Sequence, residues 1–330
     1  MHRVPLTVAF SNYDRTRPLL DGRVTIEGCD PTYFDLEPEE MFHRALHHEE
    51  FDVAELSFSN YVALRARGEC PYVAIPIFPG RKFRHSGIYV RTDRGIAKPQ
   101  DLKGKLVGVP EYQVTAVVWM RGVLEDEYAV KPSDIRWRTG GLEQAGRTEK
   151  VALKLPAGVE LQLIPSDRTL SEMLASGELD AVIAPRPPSV YLKRTPNIAR
   201  LFEDFVSAEK AYYAKTRIFP IMHLVGVRES KVQQYPWLPA SIYKAFDKAK
   251  DLALDELRSI NIPPVALPWV EEMANEAAAL FGRDFWPYGV QANRVTIEAF
   301  LRYHHSQGLS PRPLTIADLF AASTLEQSRI

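Results

Sequence analysis

Two of the eight histidines, His85 and His223, stand at positions where the chain is expected to pass between two lobes. Imidazole exchanges a proton near neutral pH, so each is a candidate general acid. Glu55 and Asp14 are the carboxylates that can serve as a base or as a hydrogen-bond acceptor. Around them the sequence sets Arg15, Arg17, Arg81, Lys82, Arg84, Arg186 and Arg217 at the ends of expected strands. A guanidinium fork offers a carboxylate two parallel hydrogen bonds, so this clustering suits a small carboxylate-bearing anion, with Arg17 and Arg84 as the leading pair and Arg186 beside them. Ser59 and Thr115 open helices and add backbone N–H donors for an anion. Tyr112, in Glu111–Thr115, and Tyr288, in Trp286-Pro287-Tyr288-Gly289, complete the expected substrate-binding set. Phe83, Trp119 and Trp286 are candidates for an apolar wall, although a large aromatic also serves as plain core.

The remaining helix histidines have an ordinary explanation. His43, His47 and His48 lie on one amphipathic helix, and His304 and His305 sit near the end of another, where positive charge is favoured. No compact His/Cys/Asp/Glu ligand motif falls in an expected loop, so no metal is expected. The sequence has no phosphate-cradling glycine motif and no Gly-x-Ser-x-Gly, so no nucleotide cofactor or serine nucleophile is expected either.

Composition narrows the class further. A net charge of −1 gives no global attraction to nucleic acid or to an anionic membrane. Hydrophobic and charged shares of 45% and 25% are those of a globular protein, and 330 residues are enough for two cores. Two isolated cysteines, Cys29 and Cys70, form no disulfide framework and are expected to be reduced. Val4–Phe10 reads as a strand rather than the apolar core of a secretory leader, and no stretch approaches the roughly 18 apolar residues of a membrane span. A soluble cytoplasmic protein is expected.

The elements that must position these residues alternate between strand and helix. Strands are expected at Leu6–Phe10, within Val24–Phe34, at Phe51–Leu56 and at Tyr72–Phe78. Between them lie a helix opened by Pro38-Glu39-Glu40 and another capped by Ser57 or Ser59. Lobe two repeats the plan: a strand ending at Val109, the helix Ala116–Glu127, a strand at Val159–Ile164, the helix Thr169–Ser176 and a strand at Leu179–Ala184. Such alternation implies mostly parallel sheets with helices on their faces. Ile221–Val227 reads as a returning strand, followed by the helices Pro239–Leu257, Pro268–Leu280 and Asn293–His305. The expected division is residues 1–94 and 220–330 in lobe one, the C-terminal helices included, and 95–219 in lobe two. The tail aromatics Phe285, Trp286, Tyr288, Phe300 and Tyr303 offer a surface either for lobe one or for a second copy of the chain.

Two α/β lobes joined by two chain crossings resemble the clamshell of type II periplasmic binding proteins, and Asp101–Val109 is similar to the start of their second lobe. Longer segments resemble the 4,5-dihydroxyphthalate decarboxylase family: Asp14–Val24, Arg84–Arg91, Phe219–His223, Trp286–Gly289, Asn293-Arg294 and Arg302–His305. That resemblance implies a carboxy-lyase acting on a small aromatic carboxylate, converting 4,5-dihydroxyphthalate to protocatechuate and CO₂ without a cofactor. The chemistry then needs a proton donor to the ring carbon (His85 or His223), an acceptor for a ring hydroxyl (Glu55 or Asp14) and arginines for the retained carboxylate. A ligand between lobes would meet the strand ends that carry these groups. The alternative is a cytoplasmic binder or sensor that uses the same fold without catalysis, because fold does not dictate function.

Overall fold

The structure, a computed structural model, describes residues 3–149, 153–258, 261–263 and 265–326. Met1 and His2, where the leader reading began, lie outside the described residues. Strands β1 (Val4–Phe10), β2 (Cys29–Asp35), β3 (Val53–Ser57) and β4 (Tyr72–Ile75) come first in the chain. They are followed by β5 (Ile88–Arg91), β6 (Leu106–Val109), β7 (Arg136–Thr139), β8 (Glu160–Leu163), β9 (Ala181–Ile183), β10 (Ile198–Arg200) and β11 (His223–Arg228). Two sheets result, a five-stranded one in the order β2-β1-β3-β11-β4 and a six-stranded one in the order β10-β5-β9-β6-β7-β8.

The chain divides into two compact units. Unit 1 comprises Met1–Arg81, Ile221–Ile297 and Leu314–Ile330, and unit 2 comprises Lys82–Pro220 and Glu298–Pro313. In unit 1, β1 runs parallel to β2 and β3, whereas β11 runs antiparallel to β3 and β4. Residues Val53 to Leu56 are all buried, as a strand covered on both faces requires. The run contains one charge, Glu55. The helix Pro38–His48 starts on proline with Glu39 and Glu40 in its first turn and His47 and His48 in its last, matching the helix dipole at both ends. It buries Met41 and Ala45.

In unit 2, β6 runs parallel to β7 and β9, while β5 is antiparallel to β9 and β10. The helix Leu170–Ser176 has a reciprocal capping box: Thr169 Oγ1 accepts from Glu172 N at 3.2 Å and Glu172 Oε2 accepts from Thr169 N at 3.1 Å. A cap of this kind stabilises by about 1 kcal/mol. Gly177 ends the helix at φ +83°, where a side chain would be strained. Leu170 and Leu174 then pack with Ile164, Leu179 and Val182 in the core.

The expected lobe boundaries change in two places. Residues 82–94, assigned above to lobe one, fall in unit 2 because β5 pairs with β9 and β10. The segment Glu298–Pro313 also belongs to unit 2, so the chain passes between the units four times rather than twice. The cause is packing: Phe300 and Tyr303 lie against Trp119, and the Tyr303 ring fills the space over Gly122, where a Cβ would come within 2.3 Å. Gln307 accepts from Arg121 Nε at 2.8 Å in the same interface within unit 2. The C-terminal helices are therefore not all on unit 1. Their aromatics are used within the chain, with Trp286 and Tyr288 in unit 1 and Phe300 and Tyr303 in unit 2. No described helix is long and apolar enough to cross a membrane.

Candidate active site

Glu55 is wholly buried in β3, and a charge in that position needs partners. Two segments supply them. The β11 register sets Val225 opposite Glu55 and His223 opposite Ser57, at the strand's entry. His223 Nδ1 then lies 2.6 Å from Glu55 Oε1. From the loop after β1, the Tyr13 hydroxyl donates to the same oxygen at 3.0 Å and the Ser11 amide donates to Oε2 at 3.2 Å. Burial and the Glu55 charge push the Tyr13 phenol well above its ordinary range, so it stays a donor at neutral pH.

Because an ionised carboxylate only accepts, Glu55 fixes His223 with its proton on Nδ1 and leaves Nε2 as the exchangeable position. Phe42 meets the ring edge-on at 4.9 Å. Gly80 makes room for it, since a Cβ there would sit 2.6 Å from His223 Nδ1. The imidazole side chain keeps 21% of its surface exposed while its carboxylate partner has none. The pair thus has a buried anchor and an accessible end.

Arg15 completes the neighbourhood. Its guanidinium carbon lies 4.2 Å from the ring centroids of both Tyr13 and Trp286. Its Nε donates to Pro79 O at 2.7 Å and its Nη1 to Asp14 Oδ1 at 3.0 Å. Tyr288 is 5% exposed, and its hydroxyl has no partner among the described residues. Burial pushes its phenol well above the ordinary range, with Arg15, Arg81 and Glu55 all close enough to act on it.

Of the residues expected from sequence, unit 1 therefore brings Glu55 and His223 into contact and sets Tyr288 close by. Asp14 pairs with Arg15. Arg17 is exposed in the first turn of the helix Arg17–Leu20 and bonds Asn12 Oδ1 at 3.3 Å. Ser59 is buried in the first turn of the helix Phe58–Arg67.

Unit 2 holds the others. Arg84 Nη1 donates to Pro185 O at 3.2 Å, and burial, partly offset by Glu209, lowers its guanidinium to about 10. His85 is 2% exposed, faces Phe202 and Tyr212, and is lowered by burial to about 4. The nearest carboxylate, Glu209, lies 4.0 Å from its Nδ1 and accepts from the Ser86 amide at 3.3 Å. Burial raises the Glu209 carboxyl. Tyr112 is buried beneath the Arg121 guanidinium, 3.5 Å from its centroid, and Thr115 is buried in the first turn of the helix Thr115–Tyr128. Arg186 is exposed after β9. Trp119, a candidate wall residue, is core.

Tyr13 and Glu209 were not singled out from sequence. Tyr13 had a signal, since it shares a loop with Asp14 and Arg17. Glu209 sits on the helix Phe205–Thr216, whose N-cap, Asp204, was the available cue: its side chain accepts from Ser207 N. No group of three or more metal-ligating side chains is gathered among the described residues.

Comparison with known proteins agrees with this architecture. Residues 37–159 match the family model for the periplasmic substrate-binding protein of phosphonate ABC transporters. The periplasmic aliphatic sulphonate-binding protein of Escherichia coli superposes with a TM-score of 0.51 at 13% identity, covering 98% of this chain and 99% of that one. A sulfonate-binding protein from Methylobacillus flagellatus reaches 0.55 at 13% identity, covering 96% and 90%. These likenesses establish the two-lobed type II periplasmic-binding-protein fold. In sequence, the chain is 48% identical over 330 residues to a 4,5-dihydroxyphthalate decarboxylase of Comamonas testosteroni, with both chains fully covered. It is also 50% identical over 213 residues to one of Pseudomonas putida, covering 64% of this chain and 83% of that one. This chain belongs to the 4,5-dihydroxyphthalate decarboxylase family.

Proposed function

We propose that the protein decarboxylates 4,5-dihydroxyphthalate to protocatechuate and CO₂, with the His223–Glu55 pair as its proton-transfer device. The observation that carries this reading is the 2.6 Å contact between a wholly buried carboxylate and a partly exposed imidazole, in a chain with a fully covered decarboxylase relative. In the substrate a hydroxyl lies para to each carboxylate. As that hydroxyl gives up its proton to solvent, its electron pair moves into the ring and the carbon bearing the carboxylate takes a proton from His223 Nε2. The ring is then a dienone. Breaking the C–C bond releases CO₂ and sends the bonding pair through the ring to the dienone oxygen, restoring the aromatic ring as a phenolate, which takes a proton back from solvent. Atoms and charge balance with no external oxidant or reductant, so the scheme asks for no cofactor.

Glu55 is a positioning partner in this scheme. It holds the His223 tautomer and faces the imidazolium when His223 is protonated, as the carboxylate of a catalytic triad does. His223 is preferred to His85 as the acid because burial keeps the latter uncharged near neutrality. The reaction is placed in the cytoplasm, where the two free, buried cysteines are at home. The deciding experiment measures CO₂ release from 4,5-dihydroxyphthalate by the purified protein, its His223→Asn variant and the wild type with a chelator. Release by the wild type with and without chelator, and a loss of at least 100-fold in the variant, supports the proposal. An unimpaired variant removes His223 from the chemistry, and tight binding without release leaves a solute binder.

A further inference from the structure

We infer that Arg15 is the specificity-determining cation of this site, holding the carboxylate that the aromatic ring keeps. The inference rests on the decarboxylase reading and names the residue that would select its substrate. Arg15 is clasped between two aromatic faces, at 4.2 Å from each centroid, which fixes the guanidinium plane without using its donors. Nε and one Nη1 hydrogen are taken by Pro79 O and Asp14. That leaves the Nη2 pair for an outside acceptor. One ring connects this cation to the proton-transfer pair: Tyr13 carries Arg15 on its face and hydrogen-bonds Glu55 through its hydroxyl. A cation and an acid one ring apart suit adjacent carboxylates, one held while its neighbour leaves. The unpartnered buried hydroxyl of Tyr288, acted on by both Arg15 and Glu55, marks the same place.

The upper face of the clasp is itself anchored. Trp286 Nε1 donates to Phe78 O at 3.0 Å, and its amide donates to Asp284 Oδ1 at 3.3 Å. Asp284 Oδ2 in turn lies 2.8 Å from Nζ of Lys250, a lysine with no exposed surface. A guanidinium held this firmly loses little entropy on binding, as a preorganised anchor should.

The test compares Arg15→Met and Arg15→Lys with the wild type in steady state, with folding checked by circular dichroism. Protocatechuate, which keeps the carboxylate, and catechol, which lacks it, serve as inhibitors. Arg15→Met should raise KM for 4,5-dihydroxyphthalate and Ki for protocatechuate together by 30- to 100-fold, with kcat within fivefold and Ki for catechol unchanged. Arg15→Lys should fall between. Unchanged KM and protocatechuate Ki in a folded variant would overturn the inference, as would a catechol Ki that rises in step, the mark of a merely structural staple. If the wild type releases no CO₂, the decarboxylase reading fails separately. Phthalate binding followed by indole fluorescence then decides Arg15: a 30-fold weakening in Arg15→Met upholds the anchor, and equal affinity ends it.

Discussion

Replacing Glu55 by glutamine changes one oxygen to an amide nitrogen in a residue with no exposed surface, and the consequences can be worked from its three donors. Ser11 N faces one oxygen, while the Tyr13 hydroxyl and His223 Nδ1 face the other. If the amide oxygen takes the Oε1 place, its NH₂ confronts the Ser11 N–H and a buried donor goes unsatisfied, costing about 1–3 kcal/mol of stability. If the amide is flipped, NH₂ confronts His223, which must then present a lone pair at Nδ1 and carry its proton on Nε2 as a neutral ring. In both arrangements the imidazolium loses its anion. General acid catalysis contributes about 10²- to 10⁴-fold, so kcat in Glu55→Gln should fall by at least 100-fold, about 2.7 kcal/mol in the barrier. KM should change little, because Arg15 and not Glu55 meets the retained carboxylate. The assay is CO₂ release over a range of substrate concentrations, paired with thermal unfolding to register the separate stability cost. A folded Glu55→Gln enzyme whose kcat stays within threefold of wild type would refute the proton-transfer role of the pair.

Three further outcomes follow from named contacts. Gly80→Ala places a Cβ 2.6 Å from His223 Nδ1, so the ring must leave Glu55; kcat should drop at least tenfold with the fold intact, read by CO₂ release beside circular dichroism. His85 should be dispensable for turnover, and its burial should be a source of stability loss in acid. Its folded value, lowered to about 4, lies below the ordinary 6.5, so between those values the unfolded chain binds a proton that the native one refuses. Stability is therefore lost as pH falls from about 6.5 towards 4, by up to about 3 kcal/mol, and His85→Phe should flatten that limb in denaturant titrations at pH 7 and 4.5. A variant that keeps the full acid loss would remove His85 as its source. Gly122→Ala sets a methyl against the Tyr303 ring, with atoms as near as 2.3 Å, and the crowding of about 1–3 kcal/mol should outweigh the roughly 1 kcal/mol gained in helix propensity. A raised melting temperature would show that the tail does not pack there.

The elements read most clearly were those whose local chemistry agrees with their burial. The helix Pro38–His48 announces both ends, and Thr169 with Glu172 declares a capping box before any contact is known. The misses have physical reasons. β5 and β10 are a four-residue and a three-residue strand, too short to show a period, and β5 alone moves the unit boundary. The helix Phe205–Thr216 was passed over although Asp204 caps it, because its apolar residues do not gather on one face; of them only Tyr212 is buried. The sequence reading preferred Arg17 to Arg15, and turn geometry sets the two apart. The Thr16 hydroxyl accepts from Tyr13 N, and the Arg17 amide bonds Tyr13 O; this tight loop leaves Arg15 beside Trp286 and Arg17 outside.

Glu55 was legible in a different way. In Val53-Ala54-Glu55-Leu56 it breaks a run that otherwise reads as a fully buried strand, and a charge there costs several kcal/mol unless hydrogen-bonded. Sequences that specify one fold keep their local rules except where function requires otherwise, so the anomaly itself points to a site. What the anomaly cannot name is the partner. The donors to Glu55 come from 44, 42 and 168 residues away, across a β1 that runs parallel to β3 and a β11 that returns antiparallel beside it. Only the sheet order brings them to one oxygen pair. A binding protein of this fold has no evident use for a buried carboxylate that fixes a histidine tautomer, whereas ring protonation does; for this reason the Glu55–His223 contact weighs more than the arginines in assigning catalysis.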